Sequence, residues 1–205
     1  MEDNSSTDQA RINRSDEWQS RLAIFVFGLL LFEAFSGLSI WLLPFSVPNQ
    51  ILVILHTLVG ILFLLPFLIY QGHHWWIYRN RLWSHYMVTG YVAFAAVALN
   101  AVSGVIVALQ AALSTAISYT WDTVHIITTL VILAFLIPHV VLLLYRDRKG
   151  RSEEAQLVLV AEKQWMKGVL AWSVSGFVVL AALSWLYQPV VWVNEFPEGY
   201  QIGEG

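Results

Sequence analysis

Cysteine is absent from the 205 residues. That excludes disulfides, thiolate metal sites and any prosthetic group attached through a Cys-x-x-Cys-His motif. Charge is scarce as well. Asp, Glu, Lys and Arg make up 12% of the chain, against about 25% in a soluble domain, so there is little soluble mass to house an enzyme domain. No nucleic-acid partner is expected. The first 20 residues are polar, carry no apolar core of a cleavable signal peptide, and read as a disordered tail. No internal repeat stands out.

Apolar residues fill the space that charge leaves: 58% of the chain is hydrophobic and the mean hydropathy is +0.62. Five runs, 22–43, 51–70, 86–113, 123–145 and 169–190, each supply the roughly 20 helical residues that cross a bilayer core. They are continuous rather than alternating, which favours helices over a barrel, since a lipid-exposed backbone must be satisfied within its own segment. The expected fold is an all-α, polytopic membrane bundle of five transmembrane helices, residues 21–191, with polar tails 1–20 and 192–205. The loop 146–167 is its largest soluble piece. Within it, SEEAQLVLVAEKQW is expected to lie as a short amphipathic element on the membrane surface.

One side of this bundle has no base. Arg11, Arg14, Arg21, Arg79, Arg81, Arg146, Arg148, Lys149, Arg151, Lys163 and Lys167 are all the Lys and Arg in the chain, and five spans put all of them on one side. Asp122, Glu195, Glu198 and Glu204 fall on the other. By the positive-inside rule the N-terminus is cytoplasmic and the C-terminus external, as in a bacterial-type inner membrane. The aromatic, basic connection QGHHWWIYRNRLWS suits the cytoplasmic interface, where Trp and Tyr rings lie at headgroup level.

Histidines are the informative exception inside these runs. His125 and His139 lie 14 residues apart in WDTVHIITTLVILAFLIPHVVLLLY, which is within about 40° of whole helical turns and about 21 Å of rise. Both imidazoles therefore face one way at two depths, as two stacked metal centres would require. His56, near the external end of the second span, matches the depth of His125. A porphyrin between these spans would take both as axial ligands. A lone imidazole bonded to a neighbouring helix is the bland alternative, and it leaves the matched depths without a cause. For His139 the partner comes from the cytoplasmic side, where His85, His74 and His73 are candidates. His74 lies 18 residues beyond His56, close to five whole turns, whereas His73 is turned about 100° off that face.

Three polar residues stand out inside the spans. Glu33 in LLLFEAFSG reads as a proton-relay or quinone-site carboxyl, or as a protonated acid bonded to a backbone carbonyl. Asn100 and Gln110 could meet a propionate or quinone oxygen, although hydrogen bonding between helices is their commoner use. Gly60, Gly90 and Gly104 permit close approach of a porphyrin or, more commonly, of another helix.

The segment Arg81-Leu-Trp-Ser-His85-Tyr-Met-Val-Thr89-Gly90, with the 14-residue pair that follows it, resembles the di-haem cytochrome b subunits of formate dehydrogenases and nickel–iron hydrogenases. The resemblance covers roughly residues 51–145, and the order of the ligand-bearing helices differs. It implies two b-type haems: an outer one between His56 and His125, and an inner one between His85 and His139, with His74 or His73 as alternatives to His85. It further implies a membrane subunit of a respiratory complex that carries electrons between an external redox partner and a quinone or a cytoplasmic partner. The external tail Trp192–Gly205, acidic and spaced with Trp192, Phe196 and Tyr200, would dock an iron–sulfur or c-type cytochrome subunit. Two other classes remain expected alternatives: a proton- or metal-handling transporter, and a haem-free membrane anchor of a soluble enzyme.

Overall fold

The computed structural model describes residues 18–80, 84–147 and 153–187. Five helices account for almost all of them: α1 Arg21–Leu42, α2 Val47–Tyr78, α3 His85–Leu113, α4 Tyr119–Asp147 and α5 Glu153–Leu186. Each contains a stretch long and apolar enough to cross a membrane, and no strand occurs among the described residues. The helices begin where polar side chains replace the missing intrahelical acceptors. Ser20, Ser46 and Ser84 accept from the backbone N–H of Ala23, Asn49 and Met87, three residues on. Pro48, in the first turn of α2, sits where its missing N–H costs nothing.

Two helices are longer than their apolar runs. α2 continues through the expected interfacial segment to Tyr78, where the Arg79 guanidinium lies 3.6 Å from the ring centre of Trp76. At the other end of the chain, residues 153–165 are the first turns of α5 rather than a separate surface element. The cause is packing. Ala161 and Trp165 are buried, and Trp165 meets Trp18 and Phe27 edge-on at 5.0 and 5.2 Å. With good helix formers and no proline from Glu153 to Leu186, nothing breaks the helix before the membrane.

The helices form two layers. α1, α2 and α5 make one; the α3–α4 hairpin, the most closely packed pair, makes the other. Glycines set the fit of α5 on α1. A Cβ on Gly28 would lie 2.4 Å from Trp172 Cβ, and one on Gly176 would lie 2.4 Å from Phe32 Cδ2, so a larger residue at either position would force the helices apart. Between the layers contact is sparse. Midway along the seam, Val26, Phe63, Phe67, Ala96, Val97 and Ile132 form one buried apolar cluster, and Phe67 stacks on Phe94 across it at 6.5 Å. This plug separates the bundle into two histidine-bearing levels.

Candidate metal centre

The first level holds His56 on α2 and His125 on α4, one from each layer. Their ring centres are 6.1 Å apart and the rings are turned 77° from each other. Two imidazoles that share one metal in trans, each with nitrogen about 2 Å from it, place their ring centres about 6 Å apart. The separation of the two ring centres is of that size.

Hydrogen bonds fix which ring nitrogen is available. His125 Nδ1 lies 3.1 Å from the backbone oxygen of Asn100, which can only accept, so Nδ1 carries the hydrogen. Ser103 Oγ, 3.3 Å from the same Nδ1, gives its own hydrogen to Asn100 O. His56 repeats this arrangement. Its Nδ1 is 2.9 Å from Ser36 Oγ and 2.9 Å from Glu33 Oε2, while Ser36 donates to Glu33 O. With both Nδ1 atoms bound back into their own hairpins, Nε2 is the nitrogen on each ring that could coordinate a metal.

Glycine brings the helices close enough for these bonds. A Cβ on Gly37 would lie 3.2 Å from His56 Cε1, and one on Gly104 would lie 2.9 Å from His125 Cε1. At the second level Thr89 and Gly90 do the same for His139: Thr89 Oγ1 is 3.2 Å from His139 Nδ1, and a Gly90 Cβ would lie 3.0 Å from His139 Cε1. Three of the membrane histidines thus rest on a hydroxyl–glycine dipeptide of the preceding helix: Ser36-Gly37, Thr89-Gly90 and Ser103-Gly104.

These cradles reveal an internal duplication that the sequence alone hid. Adding 67 to α1 positions and 69 to α2 positions gives their counterparts in α3 and α4. Ser36-Gly37 then matches Ser103-Gly104, and His56 matches His125. The cavity between the layers is lined by such pairs: Leu30 and Val97, Glu33 and Asn100, Ala34 and Ala101, Gly60 and Thr129, Phe63 and Ile132, Leu64 and Leu133. The two halves share an [E/N]-x-x-S-G pattern followed by a histidine 20 or 22 residues after the serine. Variation at most of the surrounding apolar positions concealed it.

The remaining sequence-predicted residues fall as follows. His74, half-buried, stacks between Tyr70 at 5.6 Å and Tyr78 at 4.6 Å and is close enough to His139 for their charges to interact. His73 is exposed, and so is His85, the first residue of α3. Asn100 joins helices: its Nδ2 lies 2.8 Å from His125 O, 3.0 Å from Thr128 Oγ1 and 2.9 Å from Thr129 Oγ1. Gln110 closes the α3–α4 turn by accepting from Ser118 N. Glu33 meets His56 rather than a backbone carbonyl, and its second oxygen, Oε1, is buried without a hydrogen-bond partner. Arg81, most of the N-terminal tail and the tail Trp192–Gly205 lie outside the described residues.

Among the described residues no three His, Asp or Glu side chains converge as a metal site. The partly open cavity at the first level is about 100 Å³, below the about 300–1,000 Å³ of an ordinary small-molecule pocket. No family model, curated protein or solved structure matches this chain.

Proposed function

We propose that the chain is a di-haem b-type cytochrome, the membrane subunit of a respiratory oxidoreductase complex. The observation that carries this reading is the His56–His125 pair, 6.1 Å apart, with both Nδ1 atoms bound back and both Nε2 atoms left for a metal. Two imidazoles underfill the four-ligand shell of a bare zinc ion. They complete the shell of an iron whose other four positions are porphyrin nitrogens. When bound, haem supplies one-electron redox chemistry, and two axial histidines leave no open position for oxygen.

The protein's part is ligation, orientation and exclusion of water. His56 and His125 would hold the first-level haem, which would be the outer one if the side rich in Lys and Arg is cytoplasmic. His139, on its Thr89-Gly90 cradle, holds the second. At the first level the cradle for α4 comes from α3 and the opposing ligand comes from α2. The same logic at the second level favours His74 on α2, with His85, the partner that the family resemblance implies, as the alternative. The Phe63–Phe67–Phe94 cluster fills the low-dielectric gap between the two levels. Electrons would cross the bilayer between an external iron–sulfur or c-type cytochrome partner and a quinone or cytoplasmic partner, with the N-terminus cytoplasmic.

An absorption spectrum of the purified protein tests this. Sharp reduced α and Soret bands, with two extractable b haems per chain, are expected. A folded, colourless protein overturns the reading and leaves the transporter and haem-free anchor classes.

A further inference from the structure

The duplicated halves differ at one position that touches a ligand. Asn100 turns its amide toward the α4 backbone and the Thr128 and Thr129 hydroxyls, so His125 Nδ1 meets only neutral oxygens, Asn100 O and Ser103 Oγ. Its counterpart Glu33 places a carboxyl oxygen 2.9 Å from His56 Nδ1. The substitution is compensated on the facing helix. Where α4 has Thr129 to accept from the amide, α2 has Gly60, whose missing side chain makes room: a Cβ there would lie 3.2 Å from Glu33 Oε2. A carboxyl in mid-membrane is costly, and this one has a dedicated glycine and a dedicated histidine.

We propose that Glu33 is a positioning residue that sets the reduction potential of the first-level centre by acting through His56. The inference rests on the di-haem reading. With His56 Nε2 on iron, Nδ1 carries the hydrogen and Glu33 Oε2 accepts it. As a carboxylate, Glu33 would draw that hydrogen more strongly than the amide or hydroxyl oxygens beside His125 do, which would place more electron density on Nε2 and make His56 the more basic ligand. The more basic ligand favours the oxidised, electron-poor iron and lowers the potential of that centre. The two imidazoles that would face one haem are thereby made unequal, whereas at the second level the Thr89 hydroxyl and Gly90 form the cradle of His139.

Redox titration of the intact, haem-loaded protein tests this, with wild type beside Glu33→Gln. The glutamine amide oxygen still accepts from Nδ1, so ring placement is kept while the acceptor is weakened. The expected result is both haems bound, the second-level midpoint unchanged, and the first-level midpoint raised by about tenfold in its equilibrium constant, about 59 mV for one electron. Both haems bound with less than a twofold change at the first level overturns the inference. Should Glu33→Gln lose the first-level haem, Gly60→Ala reads the same bond from the other side. Its new Cβ presses on Oε2 and should raise the same midpoint by a smaller amount, and no shift there overturns the inference. Wild-type protein without haem fails the parent reading instead, a result distinct from either.

Discussion

Gly104→Ala probes the first-level centre with a single methyl group. The new Cβ would sit 2.9 Å from His125 Cε1 and 3.2 Å from Nδ1. Carbon atoms in comfortable contact are about 3.5–4.0 Å apart, so something must yield by about 0.6 Å or more. α3 cannot easily do so, because Asn100 ties it to α4 through His125 O and two threonine hydroxyls at this same level. The ring moves instead, away from Asn100 O, which accepts from Nδ1 at 3.1 Å, and toward His56. Both the bond that fixes the ring and the 6.1 Å separation are then lost. Overpacking of this kind costs about 1–3 kcal/mol. At about 1.4 kcal/mol per tenfold, haem retention at the first level should weaken about 5- to 140-fold while the second level is spared. Gly72→Ala is the control. Nothing lies within 4 Å of a Cβ there, and alanine in a helix gains up to about 1 kcal/mol over glycine. The assay is haem per chain after dilution into detergent, with the two centres resolved by redox titration. A Gly104→Ala protein that keeps both low-spin haems as firmly as Gly72→Ala would refute the cradle.

His56→Ala and His125→Ala are expected to abolish the same haem, read as one missing low-spin species in each folded variant; loss of different haems would break the pairing. His139→Ala should remove the other centre. His74→Ala should remove it too, whereas His85→Ala should leave both haems in place; the reverse outcome, scored by the same spectra, returns the second ligand to His85. Trp165→Ala removes a buried ring that contacts Trp18 and Phe27 and should cost about 3–5 kcal/mol, seen as a lower unfolding temperature in detergent with both haem potentials unchanged.

The bundle itself was legible in the sequence because lipid imposes simple rules: long apolar runs, few charges and internally satisfied backbones. The depth match of His56 and His125 was legible for the same reason, since helical rise converts position into height. What escaped was decided by contacts. Residues 153–165 look amphipathic in isolation, and only the packing of Trp165 on α1 joins them to α5. From sequence Glu33 reads as a relay or a self-satisfied acid, and only its 2.9 Å approach to His56 Nδ1 pairs it with that ring. The duplication is carried by the dipeptides Ser36-Gly37 and Ser103-Gly104, and within α3 Thr89-Gly90 and Ser103-Gly104 are spaced 14 apart like the histidines they face. Small residues carry no hydropathy signal, so that register becomes visible only when α3 and α4 are seen antiparallel and in contact.

The same duplication accounts for the spacing that fits least well. In α4 the two histidines are 14 residues apart; in α2, His56 and His74 are 18 apart. The counterpart of His139 in the first half is Tyr70, and the counterparts of Thr89 and Gly90 are Leu22 and Ala23. The first half therefore has neither the second cradle nor the second histidine at the duplicated position. His74 lies one helical turn beyond Tyr70 and stacks on it at 5.6 Å, and the Tyr78 ring, 4.6 Å away and tilted, also supports the displaced imidazole. Under the di-haem reading, the first level takes its ligands from equivalent positions of two hairpins, and Glu33 with its facing Gly60 distinguishes the polar surroundings of its two sides. The second level is asymmetric from the outset, with one cradled histidine and one held by aromatic stacking near the end of a helix. An imidazole held by ring contacts is freer to rotate than one whose Nδ1 is hydrogen-bonded. The second-level centre should accordingly be the more sensitive of the two to its surroundings at the membrane edge.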